Sequence, residues 1–454
     1  MKVAPFHLVL ALGLGMSAGV ASAGETWIDA NPSAMRMAWR EGSLTAEHEG
    51  DRPYQRITTD GKGNPNLIVT GAPLAPPVDA RNRFVKVLLR VHDFDRLAHL
   101  EVRLGSAGQK QDWFAFPVPL FADHDYNFVQ EGEWMPVTLS FGEAQIQGKP
   151  DRAHIDSIGL VVRDTGAGPV DVDFGGWSLV DEPKEGVVSF TFDDAWADDL
   201  VAARMMGEHK MRGTAYIIPN AIGHPHYMTL EEVQSLAGMG WEIASHHETP
   251  LTDFEPAALD AELRRIQSYL VSIGHAPGAL HFAYPNGKQE PRRVRPEVRR
   301  VFETARLAGS GPETLPPADP SLLRAINVIN GTPPEEVGRW AERAREHHEW
   351  LILMMHRLPE KPVESTDYAR ASFAKLLDEV AKSGVRVEPV LEVWNGCCAS
   401  PGRAFEAEQA TAHAGDGAAR AAPASPAPCS ARERIVQQLD QRGVRVDDVI
   451  GVGE

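Results

Sequence analysis

Two adjacent carboxylates, Asp193 and Asp194, close the run Gly186-Val-Val-Ser-Phe-Thr-Phe-Asp-Asp-Ala-Trp196. The residues before them are mostly apolar, β-branched or aromatic, which reads as a fully buried strand. Two like charges at the tip of such a strand cannot both ionise cheaply unless a cation or a proton lies between them. The plainer alternative is that the pair caps the helix read from Asp198 to Gly207. Three more apolar runs end in polar residues. Trp241-Glu-Ile-Ala-Ser245 ends at His246 and His247, His281-Phe-Ala-Tyr-Pro285 at Asn286, and Trp350-Leu-Ile-Leu-Met-Met355 at His356. Asp and His together suit a divalent transition metal, zinc first. Such an ion lowers the pKa of a bound water. A second carboxylate can then take the water's proton, and a distal histidine can protonate a leaving group. That is the equipment for hydrolysing an amide or an ester.

The elements that must position these residues alternate strand and helix from residue 184 to 395. Gly213-Thr-Ala-Tyr-Ile-Ile218, Thr304-Ala-Arg306 and Leu323 to Val328 read as further strands, and Val385 to Val393 as a last one. Pro256 to Ile273, Glu335 to His347 and Ala371 to Ser383 read as helices, and Thr229-Leu-Glu-Glu232 as a capping box that opens another. This alternation predicts an α/β domain with a parallel (β/α) barrel or sheet. In a parallel barrel the C-terminal strand ends share one face, so the polar tips would converge in one cleft.

These motifs resemble the polysaccharide deacetylases with the NodB homology domain, carbohydrate esterase family 4. The resemblance runs over most of residues 186–395. It rests on Thr191-Phe-Asp-Asp194, on Tyr227-Met-Thr-Leu-Glu-Glu-Val leading to Gly240-Trp-Glu-Ile-Ala-Ser-His246, on Phe282-Ala-Tyr-Pro-Asn-Gly287, on Thr304-Ala-Arg306 and on Leu351-Ile-Leu-Met-Met-His356. It implies a partly open (β/α) barrel and metal-dependent removal of acetyl groups from glycans. By that likeness Asp193 is the general base, Asp194 and His246 are metal ligands, and His356 is the general acid. Asn286 and Tyr284 then belong to the segment that binds substrate and holds the oxyanion. Two departures stand out. Where the family usually has a second histidine, this chain has Pro250, so the third ligand is His247, Glu248 or none. Where the family has an arginine in its third motif, this chain has Ala283, and Arg306 could orient Asp193 from another strand.

The remaining sequence frames this domain. Residues 1–23 read as a secretory signal, with Lys2, an apolar Leu8 to Val20 and Ala21-Ser22-Ala23 before the cleavage point. The protein is therefore expected in the periplasm or outside the cell, with no membrane span after signal cleavage. Residues 24–183 carry many alternating stretches, such as Val85, Val87, Leu89 and Val91, and predict an all-β jelly-roll sandwich that could bind carbohydrate. Trp113, Phe114, Phe116, Tyr126 and Trp134 are candidates for a sugar-stacking platform, with burial in the core as the default for most. Residues 396–430 read as a disordered Ala/Pro linker and 431–454 as a short helical tail. Cys429 could pair with Cys397 or Cys398, leaving one thiol over. A net charge of −18 argues against nucleic acid as a partner. The expected partner is an acetylated polysaccharide. The competing expectation, motivated by Pro250, is a catalytically impaired glycan-binding protein on a deacetylase scaffold.

Overall fold

The computed structural model describes residues 25–28, 35–37, 42–50, 52–70, 73–106, 111–118 and 130–398. The expected signal sequence, Tyr126, Cys429 and the expected tail lie outside the described residues, and with them the expected cysteine pairing.

Two six-stranded antiparallel sheets form the N-terminal part. One runs in the order Ser43–Glu49, Arg52–Thr58, Asp171–Asp181, Arg83–Val91, Met135–Leu139, with Glu25–Ile28 also pairing with Asp171–Asp181. The other runs Gln145–Gln147, Asp112–Pro117, Leu97–Ser106, Ser157–Asp164, Pro65–Thr70, Met35–Met37. The alternation seen in the sequence does its work here. Val85, Val87, Leu89 and Val91 of the first sheet and Leu100, Val102 and Leu104 of the second share one buried core. Of the candidate aromatics, Phe114 and Phe116 are buried and meet Phe141 edge-on. Trp113 and Trp134 keep part of their surface in water.

The C-terminal part is a parallel barrel. Its strands are β1 (Val187–Asp193), β2 (Thr214–Ile217), β3 (Glu242–Ser245), β4 (His281–Ala283), β5 (Thr304–Ser310), β6 (Leu323–Asn327) and β7 (Trp350–Met355). Each pairs in parallel with the next, and β1 pairs with both β7 and β2, so seven strands close the ring. The expected partly open barrel is therefore closed. The short strand β8 (Arg386–Val387) adds to β1 at Val187 and Val188, below the stretch that pairs with β2. The helices are α1 (Asp199–Glu208), α2 (Leu230–Gly238), α3 (Pro256–Ser272), α4 (Val294–Val301), α5 (Pro334–Glu346), α6 (Arg370–Ser383) and α7 (Val390–Cys398). Thr229 and Glu232 form the capping box of α2 reciprocally.

The last strand expected from Val385 to Val393 is only two residues long, and α7 follows it through Gly396. Pro389 has no N–H for a ladder and favours the start of a helix. The Arg-rich stretch after Glu290 is helical from Val294. Glu290 accepts from the N–H groups of Arg292 and Arg293, ahead of the first turn.

Every residue of β1 is buried. Alternation splits them between two environments. Phe190 and Phe192 pack edge-on against Phe373 of α6, on the helix side. Ser189, Thr191 and Asp193 face the barrel interior, where Ser189 accepts a hydrogen bond from the Trp350 indole at 2.9 Å. The interior thus carries polar groups in register up to the strand tips.

The two parts are joined by buried contacts. The Arg324 guanidinium, paired with Glu313 at 3.0 Å, donates to the Thr138 carbonyl of the sandwich at 3.1 Å. Arg295 of α4 reaches the Met135 sulfur at 3.3 Å. Gly142 lies so close to the barrel that a Cβ there would sit 2.6 Å from a Glu349 carboxylate oxygen.

Candidate active site

The site lies at the C-terminal ends of the strands, as the parallel topology requires. Asp193, the last residue of β1, is 4% exposed, and one carboxylate oxygen is held by the Arg306 guanidinium. Arg306 comes from β5 and is itself buried. Its partner across the ladder is Ala283 of β4. The small residue at 283 leaves interior space, and the arginine one strand over fills it. Arg306 also donates to its neighbour's carbonyl, Leu307, and lies 5.1 Å from the Tyr216 ring.

Asp194 leaves the strand at once. Its φ is +78° and that of Ala195 is +72°, a left-handed pair that non-glycine residues rarely adopt. The turn sends the Asp194 carboxylate sideways. One oxygen lies 3.5 Å from His246 Nε2 and the other accepts from the Trp196 indole N–H at 3.0 Å. Burial opposes ionisation of Asp194, but His246, the charge of His356 and the Trp196 N–H outweigh it and hold the carboxyl at about 2.

His246 follows β3 and is buried. Its Nδ1 sits 2.8 Å from the Ala283 carbonyl. A carbonyl only accepts, so Nδ1 carries the proton and Nε2 is turned to Asp194. Burial alone would lower the basicity of this ring. The Asp194 hydrogen bond, the charges of Asp193 and Asp194 and the Ala283 carbonyl reverse that and raise it. A carboxylate and an imidazole Nε2 whose other nitrogen is fixed by a carbonyl form a donor set suited to a divalent ion. They fit two of its positions. Among the described residues, no three His, Cys, Asp or Glu side chains converge into a metal-binding group.

The residues that match the expected motifs now have a place in the fold, and residues 181–301 match the family profile described as Polysaccharide deacetylase. Over that stretch the chain is similar to polysaccharide deacetylases. A curated relative, the putative polysaccharide deacetylase YxkH of Bacillus subtilis, is 27% identical over 125 residues. That stretch is 27% of this chain and 44% of the relative, so the chain spans under half the length of the curated protein it matches. Among solved structures, the Xyl-CE4 domain of a multidomain xylanase from the hindgut metagenome of Trinervitermes trinervoides is 15% identical, with a TM-score of 0.32, over 47% of this chain and 91% of that one. The family 4 carbohydrate esterase from Streptomyces lividans is 16% identical, with a TM-score of 0.31, over 44% and 91%.

Three residues expected in the site are elsewhere. His247 is buried, but its Nε2 meets Glu262 at 3.0 Å and its Nδ1 accepts from the Thr249 N–H at 3.0 Å. Both nitrogens are committed away from Asp194, in the loop that follows β3. Glu248 is partly exposed, and Asn220 donates to it at 2.6 Å. Tyr284 is likewise corrected. It packs edge-on with Phe282 on the helix side, while Ala283 between them faces the interior with Tyr216 and Ala244. Its N–H donates to the Arg306 carbonyl, so neither its ring nor its backbone donor is offered to a ligand. Asn286 is exposed, with φ +54°, in the loop beyond β4. His356 follows β7, half-buried, with its Nδ1 buried and without a hydrogen-bond partner.

Four other residues complete the surroundings. Trp196 stacks on Tyr227 with ring centroids 4.3 Å apart and has Arg357 over its ring. Asp198 accepts from the Leu358 N–H at 3.0 Å, which ties the loop after Asp194 to the loop after His356. Asp199 is fully buried with neither carboxylate oxygen hydrogen-bonded. Burial first, then the charges of Asp194, Asp198 and Asp193, raise its pKa well above the usual range. Asn327 ends β6 with a buried, unpartnered side-chain oxygen. Trp196 and Asp199 lie within six residues of the acid pair, and proximity to it was the one available signal. Asn327 gave none.

Proposed function

We propose that this protein removes acetyl groups from a polysaccharide by hydrolysis, and that a divalent ion, zinc first, is held by Asp194 and His246. The observation that carries this reading is the division of labour in the acid pair. Asp193 is clamped by a buried arginine, while Asp194 is turned onto an imidazole whose tautomer is fixed. This supports a base role for Asp193 and a ligand role for Asp194. The bound ion would polarise the acetyl carbonyl and acidify a water. Asp193 takes the water's proton, with Arg306 fixing the direction of its carboxylate. His356 protonates the leaving amine or hydroxyl. The loop at Asn286 supports the oxyanion. The N-terminal sandwich, of jelly-roll type, holds the polymer beside the cleft and so raises its local concentration. The leader sequence supports export to the periplasm or beyond, where such polymers are found.

Acetate release from acetylated glycans, measured for the wild type and for Asp193→Asn, tests the reading. Loss of release in a folded variant is expected; unchanged release refutes it. A second reading, a glycan-binding protein that no longer hydrolyses, draws on the two-donor ion site. Wild-type protein that binds glycans, contains no metal after zinc addition and releases no acetate would establish it.

A further inference from the structure

A cavity of about 420 Å³ lies at the junction of the sandwich and the barrel, within the size range of small-ligand sites. His92, Gln130, Glu131 and Gly132 line it from the sandwich, and Glu290, Pro291 and Arg292 from the barrel. We propose that this cavity is a second glycan subsite, taking hydroxyl-rich sugar units of the same polymer whose acetyl groups are removed at the strand tips; it rests on the deacetylase reading above.

The lining decides the ligand class. It is polar and of mixed charge, with two carboxylates against Arg292 and a histidine. A phosphate would meet Glu131 and Glu290, and a metal ion would meet Arg292. An apolar ligand would strip water from every one of these groups without replacing its hydrogen bonds. A neutral, hydroxyl-rich ligand matches donors and acceptors of both signs.

The lining is also braced. Asp173, fully buried, receives Arg56, Arg90 and His92. A carboxylate only accepts, so the His92 Nε2–H at 2.9 Å donates to it. That contact holds the ring in place. Glu131 is held by the Asp93 N–H at 3.1 Å and Glu290 by two backbone N–H groups. Arg292 has its side chain 79% exposed. Two residues beyond Gly132, Trp134 keeps part of its ring in water, with Arg90 4.4 Å from its centroid. An indole of this kind is a surface on which a sugar ring can stack.

The position follows from topology. The loop from β4 to α4 runs along the same face as the catalytic tips. It contains Asn286 and, four residues on, Glu290, which places the two within about 14 Å at full extension. One oligosaccharide can therefore occupy the cleft and the cavity together.

The test uses the full chain carrying Asp193→Asn, with N-acetylglucosamine oligomers of two and six units as probes and binding read by calorimetry. The hexamer is expected to bind about tenfold more tightly than the dimer, the effect of one or two added hydrogen bonds. Arg292→Ala with Glu131→Ala, both exposed positions, is expected to erase that difference. The same pair in the otherwise wild-type chain should raise KM for the hexamer and leave turnover of the dimer unchanged. Equal binding of dimer and hexamer by the parent, no binding of either, or a preference that survives the pair overturns the subsite. Failure of the deacetylase reading shows separately, as absence of acetate release from the dimer by the wild-type chain.

Discussion

Replacing Arg306 by methionine would remove the guanidinium that holds Asp193. Both partners are almost wholly buried, with side chains 1% and 6% exposed, so water cannot take over. A buried charge left without its partner costs about 3–5 kcal/mol. Arg306→Met also forfeits the hydrogen bond to the Leu307 carbonyl and the contact over Tyr216, so its cost should fall at the upper end. Asp193→Asn leaves the Arg306 charge unpaired in turn and should cost about 3 kcal/mol, the lower end, because the amide oxygen still accepts from Arg306 and repulsion by Asp194 is relieved. The two changes together leave no buried charge unpaired. The double variant should be less damaged than the sum of the singles by about 2 kcal/mol or more, a coupling typical of residues in contact. The Leu307 and Tyr216 losses occur in both arms that lack Arg306 and cancel from the difference. Urea unfolding of all four proteins, read as changes in midpoint at constant slope, supplies the numbers. Additive losses would refute the claim that Arg306 exists to hold Asp193, and with it the argument that an arginine on β5 takes the place left open by Ala283.

His247→Gln should lower stability by about 1–3 kcal/mol through the lost Glu262 and Thr249 contacts, yet leave zinc content unchanged by elemental analysis; loss of zinc would return His247 to the ligand set. Trp196→Phe keeps the stack on Tyr227 but deletes the N–H on Asp194, and should weaken zinc binding by about 1 kcal/mol, roughly fivefold, in a chelator competition. Burial alone would raise the pKa of Asp173, but hydrogen bonds from Arg56, His92 and Arg90 leave it lowered. Its contribution to stability is therefore present above the unfolded value of about 3.9 and lost as pH falls through that value towards the folded one. Asp173→Asn should lower stability at pH 7 and flatten the decline on acidification; parallel curves would show that the cluster contributes nothing.

The placement of the candidate residues was legible in the sequence where one residue and one strand sufficed. Buried apolar runs ending in Asp, His and Asn marked the strand tips, and the missing arginine at 283 pointed to Arg306. What failed was the reading of side-chain direction. Tyr284 lies beside Ala283, and strict alternation puts the two on opposite faces, but its place in a motif drew it into the site. His247 posed the same problem just past the end of β3, where only the loop's path decides. The false strand from Val385 to Val393 came from apolar content that Pro389 interrupts. The barrel's closure depends on β1 finding β2 on one edge and β7 on the other, a long-range pairing that local pattern does not encode.

The seam at residue 183 looks like a place to cut, since a polar, proline-containing stretch separates two patterns there. Gly142, Thr138 and Met135 say otherwise. A barrel made alone would expose the Arg324–Glu313 pair and strip Arg324 of the Thr138 carbonyl, and Glu349 would lose the glycine that closes over it. Any side chain at 142 would collide with Glu349 and His347 and pry the halves apart. The two halves are thus not interchangeable modules. Joining this barrel to a different N-terminal domain, or trimming the chain to the barrel, requires redesign of that seam first, with apolar replacements for the charges it now conceals.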